Sequence, residues 1–527
     1  SRGLGDVYKR QVWSTTTTAD KYVIGLYSIF GANTEMRGGD AYASPRLSDA
    51  YSDILKSTSW NQYNHNFNAT LLQETAFNSN SAGAFECWSS HYDRIRRENE
   101  FLRDAAEFGS KFGEDWLKIR IAEVRFCRAY AYFMLCRVYG GVILRTEVDG
   151  PEQNDKARST EEECWGFIIN ELKELAPDLP LKWDSDNSGR ATQKAAYGLL
   201  SRVALYAEKW DIAAQAARDC ATAEGNLDLS ENGYAKIFEL GINSPEVLFA
   251  VEFKSSVIDH AYDAYVRPSG DTKELGKQVY SGFVPTSELV DSYEMAGDGG
   301  NFSWEKHGKD PYANREPRFY ATILYNGADW MGRKIESFVG GKDGYKAYEN
   351  AGAAGTTVTG YYLRKYLIDG DKTWVTSGSG QDWIVLRYAE VLLNKAEALA
   401  MENWNKNSAE ALQALNDVRA RVGLPARATA DKETFLEYVR HERKVELAGE
   451  GFRYWDLRRW RLAEKVIDGQ NVHGVKISKQ SDGSFTYEQV DADGGHKRIF
   501  YDRYYRFAIP LSERSNNSLC TNNDGWI

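Results

Sequence analysis

The chain has 527 residues, 42% of them hydrophobic and 27% charged, which is ordinary globular usage and enough apolar material for a large core. The formal net charge is -11 and no basic stripe is long enough to track phosphates, which argues against nucleic-acid binding. No apolar run approaches the about 18 residues that a membrane-spanning helix needs. Six scattered cysteines without CxxC or Cys/His spacing argue against a disulfide scaffold and a zinc site.

In chain order, Ser1–Gln11 (SRGLGDVYKRQ) is neither an apolar signal segment nor a lipobox, and reads as a non-native leader or scar. A polar TTTT run then opens a helix with Val23, Leu26, Tyr27 and Phe30 at helical spacing. Residues 31–85 have loop composition with interspersed aromatics, and long ordered loops usually carry function. Helices are predicted over Glu86–Phe108 and Asp115–Tyr139. The second is apolar nearly all round, so it is expected to be buried on more than one side, with Cys127 and Cys136 as small core residues. Thr160 and Glu163 form a capping box ahead of a stripe of Trp165, Ile168, Ile169, Leu172 and Leu175, which Pro177 ends.

Two helix pairs with short joints follow: Gln193–Glu208 with Asp211–Glu224, and Leu386–Met401 with Ser408–Val422. Such pairs resemble tetratricopeptide units, which must stack because neither can bury its face alone. Their separation predicts a mostly α fold. A helical scaffold covers about 12–225 and 383–467 and is interrupted by an insertion over about 226–382. The insertion holds β-like pieces (EVLFAVEF, RFYATILY, GYYLRKYLI), and residues 468–527 read as a hairpin with an SDGS turn and a tail. Residues 12–527 are expected to form one domain.

Glu442, Glu446 and Glu450 recur at i, i+4, i+8, as if on one stripe of one helix. A glycosidase needs two carboxylates about 5–10 Å apart across a sugar, so this stripe is a candidate. The better reading is a structural ion network, with Arg440, Arg443, Arg453, Arg458 and Arg459 as partners. No nucleophile elbow, phosphate loop or HExxH is present, and no cofactor is expected from the motifs, although the sequence is compatible with a structural calcium ion.

The run ERKVELAGEGFRYWDLRRW (Glu442–Trp460), with LRYAEVLLNKAEALA and ALQALNDVRARVGL before it, resembles the SusD/RagB family signature. PYANREPRFYATILYNG, FVPTSELVDSYEM, RFCRAYAYF, FAIPLSE and NNDGW match in order, so the resemblance covers nearly the whole chain from about Ala19. It implies a SusD-like fold and a non-catalytic, surface-exposed outer-membrane lipoprotein of Bacteroidota. Such a protein captures nutrients, mostly glycans, for a SusC-like TonB-dependent transporter. It also implies attachment through an N-terminal lipid, expected on a native N-terminus missing from this sequence, whose first cysteine is Cys87.

Sugar rings lie flat on Trp and Tyr while their hydroxyls need polar arms. In family members that bind glycans, the site comes from loops before the second long helix and from the middle insertion. That singles out Trp60, Tyr63, Phe77, Asn78, Trp304 and Trp330 for an oligosaccharide. A peptide ligand, or a pure interaction scaffold, is the alternative.

Overall fold

The computed structural model describes residues 3–37, 45–58, 77–150, 154–348 and 355–526. Helix α1 (Gly3–Val12) leads through Trp13 to α2 (Thr16–Leu26). Thr15 caps α2: its hydroxyl accepts from the Thr18 amide at 3.1 Å, and the Thr18 hydroxyl accepts from the Thr15 amide at 3.2 Å. Trp13 packs on Phe101 with ring centroids 5.0 Å apart, which joins this end of the chain to the helix over Trp88–Phe108.

Helices α3 (Trp88–Phe108), α4 (Glu114–Tyr139), α5 (Glu161–Leu175), α6 (Gln193–Tyr206) and α7 (Trp210–Thr222) pack in sequence, each on the one before. The all-round apolar pattern of α4 has its expected result: Phe126–Cys136 is buried without a gap. All six cysteines are free thiols, and Cys127 and Cys136 are core residues. The box at the start of α5 also forms, with Thr160 accepting from the Glu163 amide at 3.1 Å and Glu163 accepting from the Thr160 amide at 3.2 Å. Thr160→Ala is expected to cost about 1 kcal/mol, read as a lowered urea midpoint. An unchanged midpoint would mean that water serves those amides equally well.

After α7 the chain leaves the helical array. It forms α8 (Gly233–Leu240) and a set of short antiparallel strands. β1 (Leu55–Ser57) pairs with β3 (Phe283–Pro285), and β2 (Val247–Val251) pairs with β8 (Trp383–Arg387). β4 (Ile323–Leu324) pairs with β7 (Tyr362–Leu363), and β5 (Asp329–Trp330) pairs with β6 (Arg333–Lys334). RFYATILY, expected as a strand, is mostly the helix α9 (Pro317–Thr322). Glu316 accepts from the Arg318 amide at 2.7 Å, and Pro317 sits in the first turn, where its missing N–H costs nothing.

Helix α10 (Tyr388–Arg421) then packs directly on α7 and α6, so the insertion loops out between neighbours in the array. The two helices expected here meet at Asn403, whose backbone is extended (φ -165°, ψ 92°). Asn407 closes the first half by donating to the Leu399 carbonyl at 3.1 Å, and Asn403 opens the second by accepting from the Lys406 amide at 3.2 Å. The predicted C-terminal hairpin is β9 (His473–Lys479) with β10 (Phe485–Asp491), joined through the SDGS turn.

The glutamates of the family-like run do form an ion network, but not on one helix and not with the expected partners. α11 (Lys432–Glu446) stops at Glu446, and Glu450 lies in a turn between Gly449 and Gly451, at φ +78° and +86°. A Cβ on Gly451 would also sit 2.1 Å from a Glu35 carboxylate oxygen, which would have to swing aside, so it is the positive φ that calls for glycine. Arg387 reaches Glu246 (2.8 Å), Glu446 (2.6 Å) and Glu450 (2.7 Å), and Arg318 reaches Glu316 (2.6 Å), Glu442 (2.9 Å) and Glu446 (3.0 Å). Arg421 pairs with Glu246 and Glu446, Arg419 with Glu294 and Glu442, and Lys365 with Glu450. Of the arginines expected from the run, Arg443 and Arg459 hold Asp456, and Arg453 holds Asp53. In α12 (Arg453–Arg459), Arg458 donates to the carbonyls of Arg137 (2.9 Å) and Tyr505 (2.7 Å) instead. Arg440 lies over the Trp460 ring. One buried apolar cluster runs from Ile29 to Trp526 and includes both arms of the scaffold and the insertion.

Candidate functional site

Trp304 opens a one-turn helix (Trp304–His307) capped by Ser303, which accepts from the Lys306 amide at 3.2 Å. The cap fixes the backbone, and Asp291 fixes the ring by accepting from the indole N–H at 3.1 Å. Burial pushes the Asp291 carboxyl up to about 6, against the opposing pull of the indole N–H and of Arg315. Trp304 remains half-buried, with Tyr487 of β10 beside it at 5.4 Å and Phe302 edge-on at 5.4 Å. Period-2 alternation in β10 turns Phe485 and Tyr487 toward the insertion and leaves Thr486 and Glu488 exposed. Phe485 meets Phe338 at 5.4 Å.

From Tyr487 the rings continue inward: Tyr312 at 6.0 Å, Tyr325 5.1 Å beyond it, and Tyr320 5.9 Å further on. Tyr320 lines a cavity of about 490 Å³, within the range of small-molecule sites. Its walls come from α8, α9, the 364–367 segment and the end of α10, and include Tyr234, Phe238, Tyr366, Arg315, Arg364 and Arg421. A second cavity, of about 520 Å³, lies between residues 32–35, 46 and 48, α3 and α4, and is lined by Glu35, Arg46, His91, Arg94 and Arg137 among others.

Of the six residues singled out from the sequence, the four that are described do not come together in one site. Trp60 and Tyr63 lie outside the described residues. Phe77 is 3% exposed because the C-terminal tail returns over it, with Phe507 at 4.3 Å and Tyr504 at 5.0 Å, so the expectation of sugar contact is corrected for this ring. Asn78 is exposed, but its side chain accepts from the Asn80 amide at 2.8 Å and serves a turn. Trp330 is corrected as well: it is fully buried, its N–H donates to Asp271 at 3.1 Å, and Arg267 lies over its ring. Trp304 alone of the described aromatics in the set keeps part of its ring open to solvent. Sequence reasoning missed Tyr487 and Tyr320. The alternation of FTYEQV signals the first, and nothing local signals the second.

Among the described residues, one group of donors converges closely enough for a metal ion: Glu294, His441 and Glu442. Arg419 already holds both carboxylates and Arg427 holds Glu294 at 2.8 Å, so the charge a cation would supply is present. Among the described residues, no helix is long and apolar enough to cross a membrane.

A family model described as SusD family matches residues 245–526, more than half of the chain, and one described as starch-binding associating with outer membrane matches residues 10–205. The chain belongs to the SusD family. A SusD-like protein of Bacteroides ovatus is 26% identical over 452 residues, covering 80% of this chain and 74% of that relative. A solved SusD-like protein of Bacteroides fragilis NCTC 9343 matches with a TM-score of 0.82 at 27% identity, covering 98% of each chain. A SusD-like carbohydrate binding protein of the same strain matches at 0.79 and 24% identity, over 96% of this chain and 99% of that one. The mostly α fold expected from the sequence is therefore the fold of this family.

Proposed function

We propose that this protein is a non-catalytic glycan receptor of the outer membrane. It holds an oligosaccharide at the cell surface for a SusC-like TonB-dependent transporter, and an N-terminal lipid anchors it. The observation that carries the reading is the Trp304–Tyr487 pair: a half-buried indole, oriented by Asp291, beside a phenol and between exposed polar residues such as Asn301, Glu305 and Glu488. Rings supply the flat apolar surface that a sugar's C–H face needs, and the polar neighbours supply hydroxyl partners. The carbohydrate-binding relative and the starch-binding family description support the ligand class. Glu446 of the family-like run supports binding without chemistry. Burial pushes Glu446 up, but Arg387, Arg421 and Arg318 outweigh this and hold it at about 2, too acidic to donate a proton near neutrality.

The test is calorimetric and tryptophan-fluorescence titration of a panel of neutral, acidic and host-type oligosaccharides. Saturable binding is expected, with affinity reduced at least tenfold by Trp304→Ala, about 1.4 kcal/mol, and with unchanged folding by circular dichroism. Binding that survives Trp304→Ala unchanged would remove the platform. Absence of any glycan ligand, together with capture of peptides, would move the reading to a peptide receptor.

A further inference from the structure

The cavity behind Tyr320 has a charge pattern that a neutral sugar does not use. Arg364 is half-buried, and its guanidinium forms no ion pair or side-chain hydrogen bond among the described residues; it only lies over the Trp330 ring at 5.6 Å. Arg315, 2% exposed, forms no ion pair among the described residues, although the Asp291 carboxyl is close enough to act on its charge. Arg315 lies between Phe302 and Phe319, 3.7 and 4.7 Å from the ring centres. It donates only to the carbonyls of Pro311, Val290 and Tyr293, and its Nη2 has no acceptor. Arg421 is committed to Glu246 and Glu446. The one carboxylate on the cavity wall is Glu239, which is exposed. Arg364 thus stands without an anionic partner among the described residues at a partly open, ring-lined space.

We propose that this cavity is a binding subsite for an acidic sugar residue, whose carboxylate or sulfate pairs with Arg364 while its ring packs against Tyr320 and Phe238. This rests on the glycan-receptor reading and names the ligand class within it. A guanidinium offers a planar fork that matches carboxylate and sulfate oxygens, and the pair strengthens where water is scarce. A neutral sugar would take water from Arg364 and return no charge, so the cavity discriminates by the penalty it imposes as well as by the bond it makes. The line of rings from Trp304 through Tyr487, Tyr312 and Tyr325 to Tyr320 connects this subsite to the outer platform.

The test is calorimetry on the full chain with trigalacturonate, its fully methyl-esterified form, a hyaluronan tetrasaccharide and a carrageenan tetrasaccharide. At least one acidic probe is expected to bind, with affinity falling at least tenfold in Arg364→Met and falling further in Arg364→Glu. Arg364→Lys should keep part of the binding. If the ligand is trigalacturonate, its methyl ester should bind at least tenfold more weakly, and raised salt should weaken binding of the acid more than of the ester. Carboxylate and sulfate sources separate by which probe binds. The proposal is overturned if no acidic probe binds, or if Arg364→Met binds as wild type does. Its failure differs from failure of the receptor reading: neutral-glycan binding lost in Trp304→Ala but indifferent to Arg364 would keep the receptor and discard the acidic subsite.

Discussion

Arg387→Met is expected to destabilise the protein by about 3–5 kcal/mol, among the largest effects of any single substitution here. Arg387 is 2% exposed and serves three carboxylates on three segments, and it also donates to the Glu446 carbonyl at 2.9 Å. Methionine fills much of the volume but leaves Glu450 with Lys365 alone and removes one guanidinium from Glu246 and Glu446. The loss should depend on pH. In the wild type, the Glu446 pKa in the fold, about 2, lies below its unfolded value, so its contribution is complete above about pH 4.3 and is lost as pH falls through 2. In the variant, carboxylates stripped of a partner and left buried move the other way and gain from protonation. The difference between the two proteins should therefore narrow as urea unfolding is repeated from pH 7 down to pH 4. A cost that stays constant with pH would assign the effect to packing rather than charge. Arg387→Lys, which keeps the charge and loses the fork, should fall between the two.

Trp330→Ala is expected to cost a similar 3–5 kcal/mol while leaving neutral-glycan affinity within about threefold of wild type. The ring is fully buried, and its removal leaves a cavity under Arg267 and Arg364 and takes one donor from Asp271. The contrast with Trp304→Ala is the point of the measurement: one indole holds the fold, and the other is expected to hold ligand. A loss of neutral-glycan binding in folded Trp330→Ala protein would mean that this ring, too, belongs to the platform.

That these two tryptophans differ could not be read from composition, since each sits in a short polar stretch (NFSWEKH, GADWMGR). The difference lies in backbone geometry. Met331 and Gly332 both have positive φ, +53° and +75°, and make a two-residue hairpin that turns Trp330 inward and Asp329 outward. The helical scaffold was legible because its signals are local. The Thr160 box, the all-round burial of α4 and the small-residue helix pairs each act within one element. The ion network was legible only in kind. Glu442 and Glu446 announce it, but Arg318, Arg387, Arg419 and Arg421 come from segments whose meeting is a property of the tertiary fold. The cavity behind Tyr320 was invisible for the same reason, being assembled from five separate stretches.

The contact between Arg458 and the last turn of α4 sets an order of events in time. The carbonyls of Arg137 and Val138 take their side-chain donor from a residue 321 and 320 positions later, and the Val138 carbonyl also accepts from the Phe507 amide at 3.1 Å. During synthesis the apolar stretch Phe126–Cys136 must therefore wait, on the order of tens of seconds at ordinary elongation rates, before the segment that closes it exists. Contacts of such sequence separation also close slowly once the chain is complete. A growing chain with this apolar helix finished early and its last backbone partners made late is expected to need keeping apart from its own copies, so its yield should respond to holding capacity as well as to final stability.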